Sequence, residues 1–285
     1  MMVQPKRRRR RLSIAIPSSL VSEIPHLREK TGIIGHIGRA AAIFRVDDIY
    51  IYRDRPDESR LIGLILSYME TPQYLRRLMF GMMAELRYVG ILPPLRTPHH
   101  PLRKRAEELE EGEIREGLIL SSVRDSYLVD VGVDKPIRVR GKPPSQRGRA
   151  TVRIIKSGSN PEGIFIDREE VETYWGFRIH QYRGGIGRLA LEGGFDLAIA
   201  TSKYGVPYPI VEGQLRESWR RSRRILIAFG SPRRGLKELL RGEGLTLEEA
   251  FHYTINTIPN QGCETIRTEE AVYATLALLN LLEAE

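Results

Sequence analysis

The chain has 285 residues, enough for one large domain or two smaller ones, and its 41% hydrophobic content supports a sizeable buried core. No apolar run approaches the roughly 18 residues of a membrane span, residues 14–17 are too short for a signal-peptide core, and a single cysteine, Cys263, excludes an internal disulfide or a zinc site built on two cysteines. Lys and Arg number 45 against 36 Asp and Glu, a formal charge of +9, which points to an anionic polymer as partner.

A heat-adapted surface laced with ion pairs is also charge-rich, but balanced networks leave no surplus, so nucleic acid is the favoured partner. A soluble, cytoplasmic protein is expected. The six histidines show no helical metal-ligand spacing, and no metal is expected.

In chain order, residues 6–11 are a basic run, read as a disordered arm over 1–11 able to touch phosphates. Residues 12–16 read as a short buried strand ending at Pro17. Residues 34–44 carry Ile37, Ala40, Ala41 and Phe44 at helical spacing, and 48–52 form a second strand. This β-α-β unit argues for a parallel sheet. Helices are predicted over 59–68 and from Thr71, an N-cap followed by Pro72. The second places Leu75, Leu78, Met79, Met82, Met83 and Leu86 on one face, with the methionines read as core.

The texture changes at Pro93-Pro94 and residues 98–101. Short apolar runs at 118–120, 127–131, 137–139, 150–155 and 163–166, separated by turn residues, predict a small OB-like barrel inserted over 93–184. From Arg115 to Lys156 ten Lys and Arg stand against four acids, an excess of +6. A basic barrel is suited to looped or single-stranded RNA, with Arg138, Arg140, Lys142, Arg147 and Arg149 as contacts. A solvated, non-binding face is the alternative.

The α/β texture resumes, so the core is expected over 12–92 and 185–285. Residues 196–200 and 225–229 read as buried parallel strands, and 254–258 as a third. Each runs into a turn-rich loop, at 201–205, 230–235 and 259–264. Ligands of open α/β sheets bind beyond the carboxyl ends of strands, and such loops let the backbone approach an adenosine and an amino-acid tail. The last helix starts near Thr268, with Glu269 and Glu270 at its positive end. Val272, Leu276, Leu279 and Leu282 face inward. Leu278 and Leu281 are more than one stripe requires, so the second face should meet another surface, most simply a twofold interface, with packing under the helices between Thr71 and Val89 of the same chain as the alternative. Gly185-Ile186-Gly187 lacks the remaining signals of a dinucleotide loop and reads as a hinge between barrel and core. Cys263 has no evident histidine partner and reads as packing. His99-His100 reads as linker, and His36 as either an RNA-facing or a plain surface residue.

The stretches at 35–44 (from Gly35-His36-Ile37-Gly38-Arg39), 196–202, 227–236 and 258–271 (Ile258-Pro259-Asn260-Gln261-Gly262 running into Thr265-Ile266-Arg267-Thr268-Glu269-Glu270-Ala271) resemble the SPOUT superfamily of RNA methyltransferases. More narrowly, the chain resembles the archaeal and eukaryotic branch with an OB-like insertion. That resemblance implies a C-terminal trefoil knot, a homodimer, and S-adenosylmethionine as cofactor. Its contacts would be Thr201, Ser202, Gly205, Gly230, Ser231, Gly235, Leu236, Ile258, Pro259, Gln261, Thr265 and Ile266. Arg39 matches the arginine of the first motif, which faces substrate RNA; Arg39 and Arg267 would orient the RNA and stabilise developing charge. Many ribose-methylating members carry a glutamate where this chain has Pro232, and an asparagine where it has Arg267. These departures favour methylation of a base nitrogen, a uridine of ribosomal RNA. Glu264 and Glu269 are candidates to accept the proton. The alternatives are ribose 2′-O-methylation and a non-catalytic RNA-binding assembly factor that keeps the fold.

Overall fold

Residues 5–145 and 148–283 are described by the computed structural model. In chain order they form β1 (Arg11–Pro17), α1 (Leu27–Ile43), β2 (Asp48–Tyr52), α2 (Ser59–Glu70) and α3 (Gln73–Phe80). Five strands follow: β3 (Ile114–Val123), β4 (Ser126–Asp130), β5 (Ile137–Arg140), β6 (Gly148–Lys156) and β7 (Glu162–Ile166). The remainder is β8 (Arg178–Tyr182), α4 (Ile186–Glu192), β9 (Leu197–Pro207), α5 (Tyr208–Arg221), β10 (Arg224–Ala228), α6 (Leu236–Arg241), α7 (Leu247–Ala250), β11 (Tyr253–Asn256) and α8 (Thr268–Leu279). Two units emerge, one of residues 8–70, 84–94 and 176–283, the other of 5–7, 71–83, 95–145 and 148–175.

The first unit is a six-stranded sheet in the order β11-β9-β10-β1-β2-β8, with every pairing parallel. Its central strands are apolar on both faces, as a sheet covered on both sides requires. Ala15, Ala198, Ala200, Leu226 and Ala228 pack with Ile186, Leu189, Leu236, Leu240 and Phe251 of α4, α6 and the segment after α7. The alternate residues Ile14, Ile16, Ile199, Ile225 and Ile227 point to the opposite face and are fully buried as well. There α1 packs on both α2 and α8. From β9 the chain steps inward to β10 and then returns past β9 to β11, so the strand order reverses at β9.

Residues 6–11 are not a disordered arm. Arg8 is buried; its guanidinium donates to Phe44 O, at the end of α1, and to Asn280 Oδ1 at 2.7 Å. Arg10 donates to Trp219 O and Arg220 O in the last turn of α5, and both arginines lie within 4 Å of Glu283. Carbonyls left over at helix C-termini attract cations, so a run that reads as an RNA tail is used to cap two helices.

Arg11 opens β1 and, with His180 of β8, grips the buried carboxylate of Asp48 (Nε–Oδ2 2.5 Å and Nε2–Oδ1 2.6 Å). Burial alone would raise this carboxyl, but the hydrogen bonds and charges of Arg11 and His180 outweigh it and hold Asp48 well below the usual carboxylate range. A depressed carboxyl contributes stability that is complete above about pH 4, its unfolded value, and is lost as pH falls toward the folded one. Urea titrations between pH 7 and 2 should show that loss, and Asp48→Asn should flatten this acid limb. At pH 7 the variant should cost less than the roughly 3–5 kcal/mol of a broken, fully buried pair, because Arg11 and His180 can still reach water. An unchanged acid limb in Asp48→Asn would remove Asp48 as its source.

The second unit is a closed five-stranded barrel in the order β3-β4-β5-β7-β6, antiparallel except for β5 with β7. Ile119, Val129, Val131, Ile137, Val139, Ala150, Val152 and Ile154 fill it. On its outer face the buried Glu116, under Trp175, accepts from Arg149 Nε at 2.5 Å, Thr151 Oγ1 at 3.0 Å and Trp175 Nε1. Helix α3 belongs to this unit and buries Leu75, while Leu78, Met79 and Met82 are exposed. The methionines are therefore not core: the helix stops at Phe80, with Gly81 in a left-handed turn (φ 60°), before Met82 could join its apolar face.

Candidate active site

A cleft of about 450 Å³ opens beyond the carboxyl ends of β9, β10 and β11, where the strand order reverses and ligands of α/β sheets ordinarily bind. Its first wall begins where β9 leaves register. Ala200 pairs with Thr254 and the next rung is Val206 with Ile255, so residues 201–205 loop out of the ladder. Thr201 Oγ1 anchors this loop to Ala228 O at 2.9 Å. Asn256, at the end of β11, ties two walls together: its Nδ2 donates to Lys203 O and its Oδ1 accepts from Ile258 N, both at 2.9 Å.

The second wall, 229–236, is pinned from below and from the side. Tyr52 donates its hydroxyl to Phe229 O at 2.7 Å; burial, with Asp54 adding to it, pushes that phenol well above its ordinary value, so it remains a donor. Ser231 N and Arg234 O close a tight turn at 2.9 Å, and Arg234 pairs with the buried Asp54. The third wall, 256–266, turns through Asn260 in the left-handed region (φ 57°). Gln261 Nε2 holds it by donating to Cys263 O and Glu264 O. Helix α8 closes the base, with Thr268 Oγ1 donating to Gly230 O at 3.3 Å.

Of the residues expected to contact a cofactor, Thr201, Ser202, Gly230, Ser231, Gly235, Leu236, Ile258, Gln261, Thr265 and Ile266 line this cleft. Gly205 and Pro259 do not. Gly205 is pressed on β11, where a Cβ would lie 2.6 Å from the Ile255 carbonyl carbon, and Pro259 is exposed. Lys203, Tyr204, Phe229, Asn256 and Glu264 also line it; Asn256 and Phe229 sit at strand ends, where position alone could have marked them.

Neither expected catalytic arginine lines the cleft. Arg39, half-buried on α1, donates to Pro94 O at 2.8 Å and lies beside Tyr273 of α8, whose phenol is raised by burial against the opposing charge of Arg39. Arg267 is exposed at the start of α8, its backbone N–H held by Glu270 at 2.9 Å. Glu264 lines the cleft; Glu269 does not.

On the barrel, strand alternation directs Arg138 and Arg140 outward, and Lys142 is exposed. Arg140 pairs with Glu162 at 2.5 Å. Arg149 lies against Glu116 on the outer face of β3 and β6, and Arg115 is fully buried beside Glu113. The sequence excess thus counts two cations that are paired with carboxylates of the barrel unit itself. Arg147 lies outside the described residues. Among the described residues there is no cluster of potential metal ligands and no helix long and apolar enough to cross a membrane.

A parallel sheet with a ligand-sized cleft at its order reversal, joined in one chain to a small barrel, defines an α/β ligand-binding protein with an appended β-module. The family model described as "Putative RNA methyltransferase" matches residues 11–279, and the chain belongs to this family: it is an RNA methyltransferase and uses a methyl donor. An uncharacterized protein of Halobacterium salinarum is 33% identical over 95% of this chain and 99% of its own length. The 28S rRNA (uridine-N(3))-methyltransferase of Homo sapiens is 30% identical over 94% of this chain and 77% of its own length. The Drosophila melanogaster protein of the same name is also 30% identical, over 94% of this chain and 61% of its own length.

Proposed function

We propose that the chain transfers the methyl group of S-adenosylmethionine to N3 of a uridine in ribosomal RNA. The observation that carries this reading is the cleft itself, where three loops from adjacent parallel strands converge on one ligand-sized space. The residues fit the donor. Phe229, Leu236, Ile258 and Ile266 offer apolar cover for a purine, and the loops at 201–204, 229–235 and 256–266 bring backbone polar groups for ribose and amino-acid tail. Gly235 has an ordinary backbone (φ −69°) and a Cβ there would meet nothing within 4 Å, so neither conformation nor packing explains its missing side chain. Keeping the cleft open does. When bound, the donor supplies a sulfonium-borne methyl that a nitrogen nucleophile can take.

The names of the human and fly relatives favour uridine N3, as do Pro232 and Arg267. A uridine N3–H must lose its proton, and Glu264 is the carboxylate of the expected pair that lies at the cleft. We read residues 230–283 as the trefoil knot of a SPOUT fold, supported by the reversal of strand order at β9. The barrel order, with β5 and β7 as its one parallel pair, supports an OB-type RNA-binding module over 93–184, with Arg138, Arg140 and Lys142 facing out. Localisation in the cytoplasm accords with this substrate.

A homodimer would complete the site, with Arg39 and Arg267 reaching RNA held at the partner's cleft; their absence from their own chain's cleft supports this. Light scattering should give twice the monomer mass at micromolar concentration. Mixing Arg39→Ala chains with chains carrying a blocked cleft (Gly235→Trp) should restore part of the activity that each variant lacks alone. A fully active monomer would contradict the dimer, and a dimer without complementation would leave Arg39 serving its own chain.

A methyl on N3 blocks the Watson–Crick edge, so primer extension along ribosomal RNA should stop at one uridine in normal cells. The stop should vanish in cells lacking this chain. Identical extension patterns would contradict the proposal.

A further inference from the structure

Tyr204 stands out among the residues of the cleft. It lines the cleft, yet 85% of it is exposed. The loop that carries it is held at several points: Thr201 is tied to β10, Lys203 O is gripped by Asn256, Tyr204 N donates to Ser202 Oγ at 3.2 Å, and Gly205 lies flat against β11. The ammonium of Lys203 sits 5.1 Å from the centre of the Tyr204 ring and also donates to Glu264 O across the cleft at 3.4 Å. A large ring on so constrained a loop gains nothing for folding by facing water. It does present a flat apolar face, with a cation alongside, at the mouth of the space where methyl transfer occurs.

We propose that Tyr204 is the platform on which the target base stacks, a positioning residue that fixes the base over the cleft while Lys203 is available to the adjoining phosphate. This rests on the reading of the cleft as the methyl-transfer site. A base in a helix cannot reach such a site and must be splayed out, and an unstacked base is recognised by stacking on an aromatic side chain. One such stack changes binding by about fivefold to 150-fold.

The test compares a fluorescent decauridylate with a ribose-phosphate decamer of the same length that carries no bases. Anisotropy titrations should show wild-type protein preferring the uridylate. Tyr204→Ala should lose about tenfold or more of that preference, whereas Tyr204→Phe, which keeps the ring face, should stay within about twofold of wild type. Calorimetric affinity for S-adenosylmethionine should be unchanged in both variants. An unaltered preference in Tyr204→Ala would overturn the proposal. So would a joint loss of S-adenosylmethionine affinity, which would make the ring part of the donor site, or a halved molecular mass, which would place it between two copies of the chain. A Tyr204-dependent preference in a protein that never binds S-adenosylmethionine would support the platform and contradict the methyl-transfer reading, so the two failures are distinguishable.

Discussion

Gly235→Trp should lower the affinity for S-adenosylmethionine by about a hundredfold or more, roughly 2.7 kcal/mol, while changing the folding free energy by less than about 1 kcal/mol. Affinity and stability respond to separate features of this position. The backbone at Gly235 (φ −69°, ψ 165°) is extended and open to any residue, and a Cβ meets nothing within 4 Å, so the fold tolerates the indole. The residue nevertheless lines the cleft, so the indole should take the space proposed for the donor. Gly230 would be a poorer probe: a Cβ there would lie 3.1 Å from Arg234 O, and any loss of affinity would be mixed with distortion of the loop. Calorimetry with parallel thermal unfolding checks both. Full affinity in a folded Gly235→Trp protein would remove the cleft from the account.

Glu116→Ala should destabilise the barrel by about 3–5 kcal/mol. The carboxylate is buried and serves three donors at once, Arg149, Thr151 and Trp175. Removing it leaves a largely buried guanidinium and a buried indole N–H without their acceptor, which costs more than the net worth of the bonds themselves. Glu116→Gln keeps an acceptor oxygen but not the charge, and should recover part of the loss. Denaturant titration gives the numbers; a change below about 1 kcal/mol in Glu116→Ala would mean that the network is not what holds the barrel closed.

Patterns that depend on local periodicity were legible before the fold. Apolar runs at 12–16, 48–52, 196–200 and 225–229 became adjacent strands because both faces of a covered parallel sheet demand such runs. The edge strand β8, Arg-Ile-His-Gln-Tyr, gave no such signal: its burial is intermediate or less throughout, so its composition reads as a connection. Residues 185–187 read as a hinge in sequence but start α4, where the N–H groups of Gly187 and Arg188 are capped by Glu243, 56 and 55 positions away. No local reading reveals a cap so distant. The same limit explains the arginines. Charge can be counted in sequence, but only the fold shows that Arg8 and Arg10 finish helices and that Arg115 and Arg149 are paired with Glu113 and Glu116. For the cleft, glycine-rich strand ends gave ten of its lining residues. Tyr204 and Asn256 carry no such signal, because their placement comes from a loop that leaves register only when β11 pairs with β9.

Nucleoside composition gives a direct test of methyl transfer to uridine N3. Ribosomal RNA from cells lacking this chain would be incubated with the purified protein and S-adenosylmethionine, digested to nucleosides and resolved by mass spectrometry and chromatography against both methyluridine standards. 3-Methyluridine should form only when protein and S-adenosylmethionine are both present, and should be lost with Gly235→Trp. A product that co-elutes with 2′-O-methyluridine, or no methylated nucleoside at all, would contradict transfer to N3.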